Sequence, residues 1–109
     1  MLPKINRLTK KKDFELVFKK GESIKNGFLI FKILKNHLKE SRFGFVVSRK
    51  VSNKATIRNK IKRRLRKAIL NKLKEVKKSV DLVIITLPGA EKREFSEIQE
   101  VVTKFLKKI

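Results

Sequence analysis

Few residues of this 109-residue chain could make or break bonds. It has one histidine and no cysteine, which excludes thiolate nucleophiles, disulfides and Cys-based zinc sites. His37 stands in the polar segment KNHLKES, with no cysteine to partner it. A general base is ordinarily paired and oriented by a second group. The acid pairs Asp13/Glu15 and Glu97/Glu100 have no acid–base context, and no spacing fits an EF-hand or a His/Cys metal site. Gly44 and Gly89 stand alone, so there is no phosphate-cradling glycine loop. The reading is a polypeptide with no catalytic residue, no metal ligand and no cofactor held by its side chains.

A different chemistry is open to the residues from Arg49 to Ile69, RKVSNKATIRNKIKRRLRKAI. Ten of them are Lys or Arg and none is acidic; the nearest acids are Glu40 and Glu75. Ile57, Ile61, Leu65, Ala68 and Ile69 recur at helical spacing, which gives one apolar stripe. Asn59, Arg63 and Arg66 then fall on the opposite face. Arg58 and Lys62 flank the stripe on one side, Lys60 and Arg64 on the other. Solvated helix faces ordinarily mix charge signs, because opposite charges at i,i+4 support the helix. Here Arg58/Lys62, Lys60/Arg64, Lys62/Arg66 and Arg63/Lys67 are all like-charged. At roughly 0.2–0.5 kcal/mol each, the four pairs cost on the order of 1–2 kcal/mol in the absence of a partner. A phosphate backbone along this face would turn repulsion into attraction and release counterions.

The whole chain points the same way. Its formal net charge is +21, which makes a polyanion the expected partner. A hydrophobic fraction of 40%, clustered in periodic segments, argues against a disordered basic tail. No signal-peptide segment opens the sequence and no run approaches transmembrane length. The expectation is a soluble cytoplasmic protein without a membrane partner.

The elements that must position the basic face can be read in order. Thr9 is placed to cap a helix carrying KKKDFELVFKK, with Gly21 as its stop. Phe14, Val17 and Phe18 share one face of it. FLIFKIL (28–34) and RFGFVVS (42–48) read as strands and as an antiparallel pair, with a short extra strand around Ser23–Asn26. DLVIITL (81–87) reads as a buried strand ended by Pro88-Gly89. A last helix from about Ser96 has Ser96 and Gln99 spaced as a capping box. The pattern is a single α+β domain over residues 1–109. It is an α/β sandwich of order α-β-β-(β)-α-β-α, with helices against a small mixed sheet.

All eight aromatic residues are Phe, and Phe14, Phe18, Phe28 and Phe31 fall on elements that can meet. Core packing accounts for a single Phe. An apolar shelf beside a basic edge is also how unpaired nucleotides are held, with bases on rings and phosphates on cations. A duplex reader has no need of the shelf, so DNA is not the expected partner.

Arg58-Asn59-Lys60-Ile61-Lys62-Arg63, after FGFVVSRK and before Arg66, resembles the R-N-R signature of the bacterial ribonuclease P protein subunit. RLTKKKDFELVFKKG (7–21) extends the resemblance upstream, and it runs to about Leu106. The resemblance implies a small subunit bound to a catalytic RNA that uses Mg²⁺ to remove the 5′ leader from precursor tRNA. It implies that Arg58, Asn59, Lys60, Lys62, Arg63 and Arg66, with Lys50 beside them, meet the ribonuclease P RNA. It implies that Phe14, Phe18 and Phe31 line the cleft of the leader, and that a left-handed β-α-β crossover runs through the basic helix. Lys60 replaces the second arginine of the signature, keeping charge but losing the bidentate fork. The alternative from another class is a structural RNA-binding protein of ribosomal type, which shares the charge but leaves the aromatic shelf unexplained.

Overall fold

A computed structural model describes residues 2–109. The elements are α1 (Lys11–Lys20), β1 (Glu22–Asn26), β2 (Leu29–Lys35), β3 (Arg42–Val46), α2 (Ala55–Lys72), β4 (Val80–Thr86) and α3 (Phe95–Lys108). The short strand expected near Ser23 is β1. It pairs with β2 in an antiparallel ladder.

The expected pairing of the second and third strands does not occur. The sheet order is β1-β2-β4-β3, with β4 antiparallel to β2 and parallel to β3. The physical reason lies in β4. Apart from Asp81 and Thr86 its residues are apolar on both faces, and all but Ile85 are buried. Such a strand gains most from an interior place with helices over both faces. β2 and β3 still run in opposite directions, but with β4 between them.

Alternation along the strands divides the core into two layers. Leu29, Phe31, Phe43, Leu82 and Ile84 pack on one side against Ile61, Leu65 and Ile69 of α2 and Val102 and Phe105 of α3. Val83 faces the other side with Val17 of α1 and Leu8, joined by Phe14, Leu34, Val46 and Ile85. The sheet is thus sandwiched between α1 and the α2–α3 pair.

Helix ends depart from the sequence reading. Lys10, not Thr9, is the residue before α1, and no side chain caps it. Gly21 does end α1, but with φ −75°, so its role is not a left-handed turn. A Cβ there would lie 2.9 Å from the Ile33 carbonyl oxygen and 2.5 Å from that of Val17; glycine lets the helix end lie on β2. α3 is capped by Glu94 and Glu97 in a reciprocal box, not by Ser96 and Gln99. Gln99 instead donates to the Ala68 carbonyl at 3.0 Å and accepts from Asn71 at 2.7 Å, tying α3 to α2.

Candidate nucleic-acid interface

The stripe on α2 sets the site. Ile61, Leu65, Ala68 and Ile69 are buried against the sheet and α3, so the intervening cations are turned outward. Asn59, Lys60, Arg63 and Lys67 are exposed, whereas Lys62, Arg64 and Arg66 are half-buried. Half-burial at those positions is how long basic side chains lay aliphatic stems on protein while the head stays in water. None of the ion pairs among the described residues involves a cation of α2 other than Lys72. Arg58 is partly spent within the chain. Its Nη1 donates to the carbonyls of Ser52 and Asn53, both at 3.0 Å, fixing the loop that leads into α2. Lys50 is exposed in that loop, which is anchored by buried Val51.

The outward cations straddle a ridge. Arg66 joins Lys62 on the flank toward β3, while Arg63 joins Lys60, Arg64 and Lys67 on the flank toward α3. Arg63 and Arg66 were expected on one common face; the two flanks separate their side chains.

On the other side of the sheet, α1 lies over the strands with Phe14 and Phe18 facing them. Their ring centroids are 6.5 Å apart. Phe18 is 39% exposed, and the Lys32 ammonium sits 5.7 Å from its ring centre. Phe14 rests directly on β3, where a Cβ on Gly44 would come within 2.5 Å of its ring. The groove therefore combines two rings with a cation from β2.

Phe31 is not part of this groove. It is fully buried and stacks on Phe105 at 4.0 Å, within 5° of parallel. The reason is strand parity: Lys32 points toward α1, so its neighbour Phe31 points toward α3. The leader-cleft expectation for Phe31 is corrected to a core position, and Lys32 is what β2 gives the groove.

Sequence reasoning also missed the clamp that holds α1. Asp81 is buried and accepts from Arg42 Nε at 2.9 Å, Arg42 Nη2 at 2.7 Å and Asn36 Nδ2 at 2.9 Å. Arg42 Nη1 reaches Asp13 of α1 at 3.1 Å. The hydrogen bond to Asp81 leads the causes that raise the guanidinium above its ordinary pKa, against its own desolvation. An acid at the start of an otherwise apolar strand, in a chain with ten acids and 31 bases, was the signal available.

The two surfaces meet at the edge of β3. The Leu8 amide donates to the Phe43 carbonyl at 2.9 Å, and a cavity of about 160 Å³ there is lined by Leu8, Thr9, Phe14, Gly44, Lys62 and Arg66, among others. An aromatic shelf and a basic edge thus adjoin through Phe14, Lys62 and Arg66. A larger concavity, about 800 Å³, lies elsewhere, around Ile24, Leu38, Lys78 and Ile109. Its lining mixes aliphatic side chains with lysines and has no Phe, and His37 is its one ring. Among the described residues no three His, Cys, Asp or Glu side chains gather as a metal site, and no helix is long and apolar enough to cross a membrane. His37 is an exposed loop residue.

The ribonuclease P family model matches residues 2–109. The chain belongs to the ribonuclease P protein family. It is 34% identical over 104 residues to the ribonuclease P protein component of Alkaliphilus metalliredigens, covering 95% of this chain and 93% of that one. The Synechocystis component is 41% identical over 88 residues, covering 80% and 71%. Among solved structures, the ribonuclease P protein of Thermotoga maritima in complex with 1-(4-fluorophenyl)-2-thiourea superposes with a TM-score of 0.86 at 36% identity, covering 94% of this chain and 99% of that one. The Staphylococcus aureus protein gives 0.84 at 30% identity, covering 94% and 93%. The mixed α+β domain with its four-stranded sheet is thus the family's fold.

Proposed function

We propose that this chain is the protein subunit of a ribonuclease P ribonucleoprotein in the cytoplasm. It binds the ribonuclease P RNA through the exposed cations of α2 and helps present precursor tRNA for removal of its 5′ leader. Hydrolysis belongs to the RNA and its Mg²⁺; the residues of this chain bind and orient. The observation that carries the reading is an acid-free cationic ridge on α2, fixed by a buried stripe, in a chain of this family.

Each surface has a distinct physical task. Lys60, Lys62, Arg63 and Arg66 exchange condensed counterions for phosphate contacts, which makes binding steeply salt-dependent. Asn59 adds a polar side chain on the same ridge. Lys50 and Arg58 border it from the loop side, with Arg58 contributing the guanidinium nitrogens not bonded to Ser52 and Asn53. Phe18 and Phe14, with Lys32, suit an unpaired strand, rings taking bases and the ammonium taking phosphate. A ribosomal-type RNA-binding role would use the ridge and leave the α1 groove idle.

Reconstitution tests this. Added to a bacterial ribonuclease P RNA at low Mg²⁺, the protein should restore leader cleavage. Arg63→Ala with Arg66→Ala should flatten the salt dependence of binding by about two units. Failure to restore cleavage refutes the assignment, and an unaltered slope removes the ridge from the contact.

A further inference from the structure

A second aromatic surface lies away from the α1 groove. Phe95 is the first residue of α3, half-buried, with part of its ring packed on the α2–α3 core. It borders a shallow, open depression of about 290 Å³ whose other lining residues are Lys60, Arg63, Arg64 and Lys67. The Lys67 ammonium sits 5.6 Å from the ring centre. Arg64 is pinned at the rim, its Nη1 donating to the Arg93 carbonyl at 3.1 Å.

The acids nearest in sequence are already committed. Glu94 closes the capping box of α3, and Glu97 pairs with Arg93 at 3.1 Å as well as completing that box. None of the four lining cations has an acid partner among the described residues. An aromatic face ringed by cations without acid partners has the recognition chemistry of a single nucleotide. The ring takes the base, and the cations take the flanking phosphates.

We propose that Phe95 is the floor of a subsite that receives one unstacked nucleotide of the RNA seated on α2. The proposal rests on the reading of α2 as an RNA-binding ridge and adds to it a requirement for an unpaired base. A continuous duplex would meet the ridge cations but could not put a base on Phe95. Phe14 and Phe18 lie across the sheet, so the subsite is separate from the leader groove.

The chain contains no Trp and no Tyr, so Phe95→Trp introduces a sole reporter. Its fluorescence should be quenched on saturation with a bacterial ribonuclease P RNA and little changed by a fully paired RNA duplex. Phe95→Leu, which keeps an apolar group against the core, should bind that RNA about 5- to 150-fold more weakly, from the loss of one base–aromatic stack. Its salt slope should stay that of wild type, because no phosphate contact is removed. Wild-type affinity in Phe95→Leu overturns the subsite, as does an unquenched Trp at saturation. Equal quenching by the duplex overturns it as well. If the wild-type protein fails to bind the RNA, the underlying reading falls first and the subsite with it.

Discussion

Lys62 lies four residues from Arg58 and four from Arg66 on α2, and no acid pairs with it among the described residues. Lys62→Gln removes two like-charge neighbours at once. At roughly 0.2–0.5 kcal/mol per pair, the free protein should gain about 0.4–1 kcal/mol. Gln and Lys have nearly the same helix propensity, so the change isolates charge. For a domain of this size about 1 kcal/mol corresponds to about 4 °C, so Tm should rise by about 2–4 °C. The assay is thermal unfolding followed by circular dichroism at about 0.01 M ionic strength, where the Debye length is about 30 Å. At about 0.15 M salt, with a Debye length near 8 Å, the gain should shrink. The same variant should bind ribonuclease P RNA more weakly, with a salt slope lower by about one unit. A Tm that is unchanged or lowered at low ionic strength refutes the reasoning, because the repulsion then carries no energy and the cation ridge no longer argues for a polyanion. A gain that persists undiminished in salt refutes it too.

Two further variants separate core from groove. Phe31→Ala should cost about 3–5 kcal/mol in urea unfolding, while Phe18→Ala should cost about 1 kcal/mol or less yet weaken binding of precursor tRNA and spare mature tRNA; the reverse order of stabilities would return Phe31 to the cleft. Gly44→Ala should drive the Phe14 ring off β3, at about 1–3 kcal/mol of overpacking, and should weaken precursor tRNA binding; a wild-type stability curve would show that Phe14 does not depend on that contact.

The sequence by itself determined what depends on neighbours along the chain. The spacing of Ile61, Leu65, Ala68 and Ile69 settles which side of α2 is buried, and with it that Asn59, Lys60 and Arg63 face solvent. Element types followed for the same reason, since helical and strand periodicities are local. Tertiary structure decided everything that depends on partners distant in sequence. β4 enters between β2 and β3 because its apolar faces need cover on both sides, and no local pattern states that choice. The parity of β2 against α1 and α3 sends Phe31 into the core and Lys32 to the groove. Folding brings Asp13, Arg42 and Asp81 together across 68 positions of sequence, and sets Phe95 beside the cations of α2. The ridge follows from periodicity, as does the division of Lys62 from Lys60 and Arg64; which element each flank meets follows from packing.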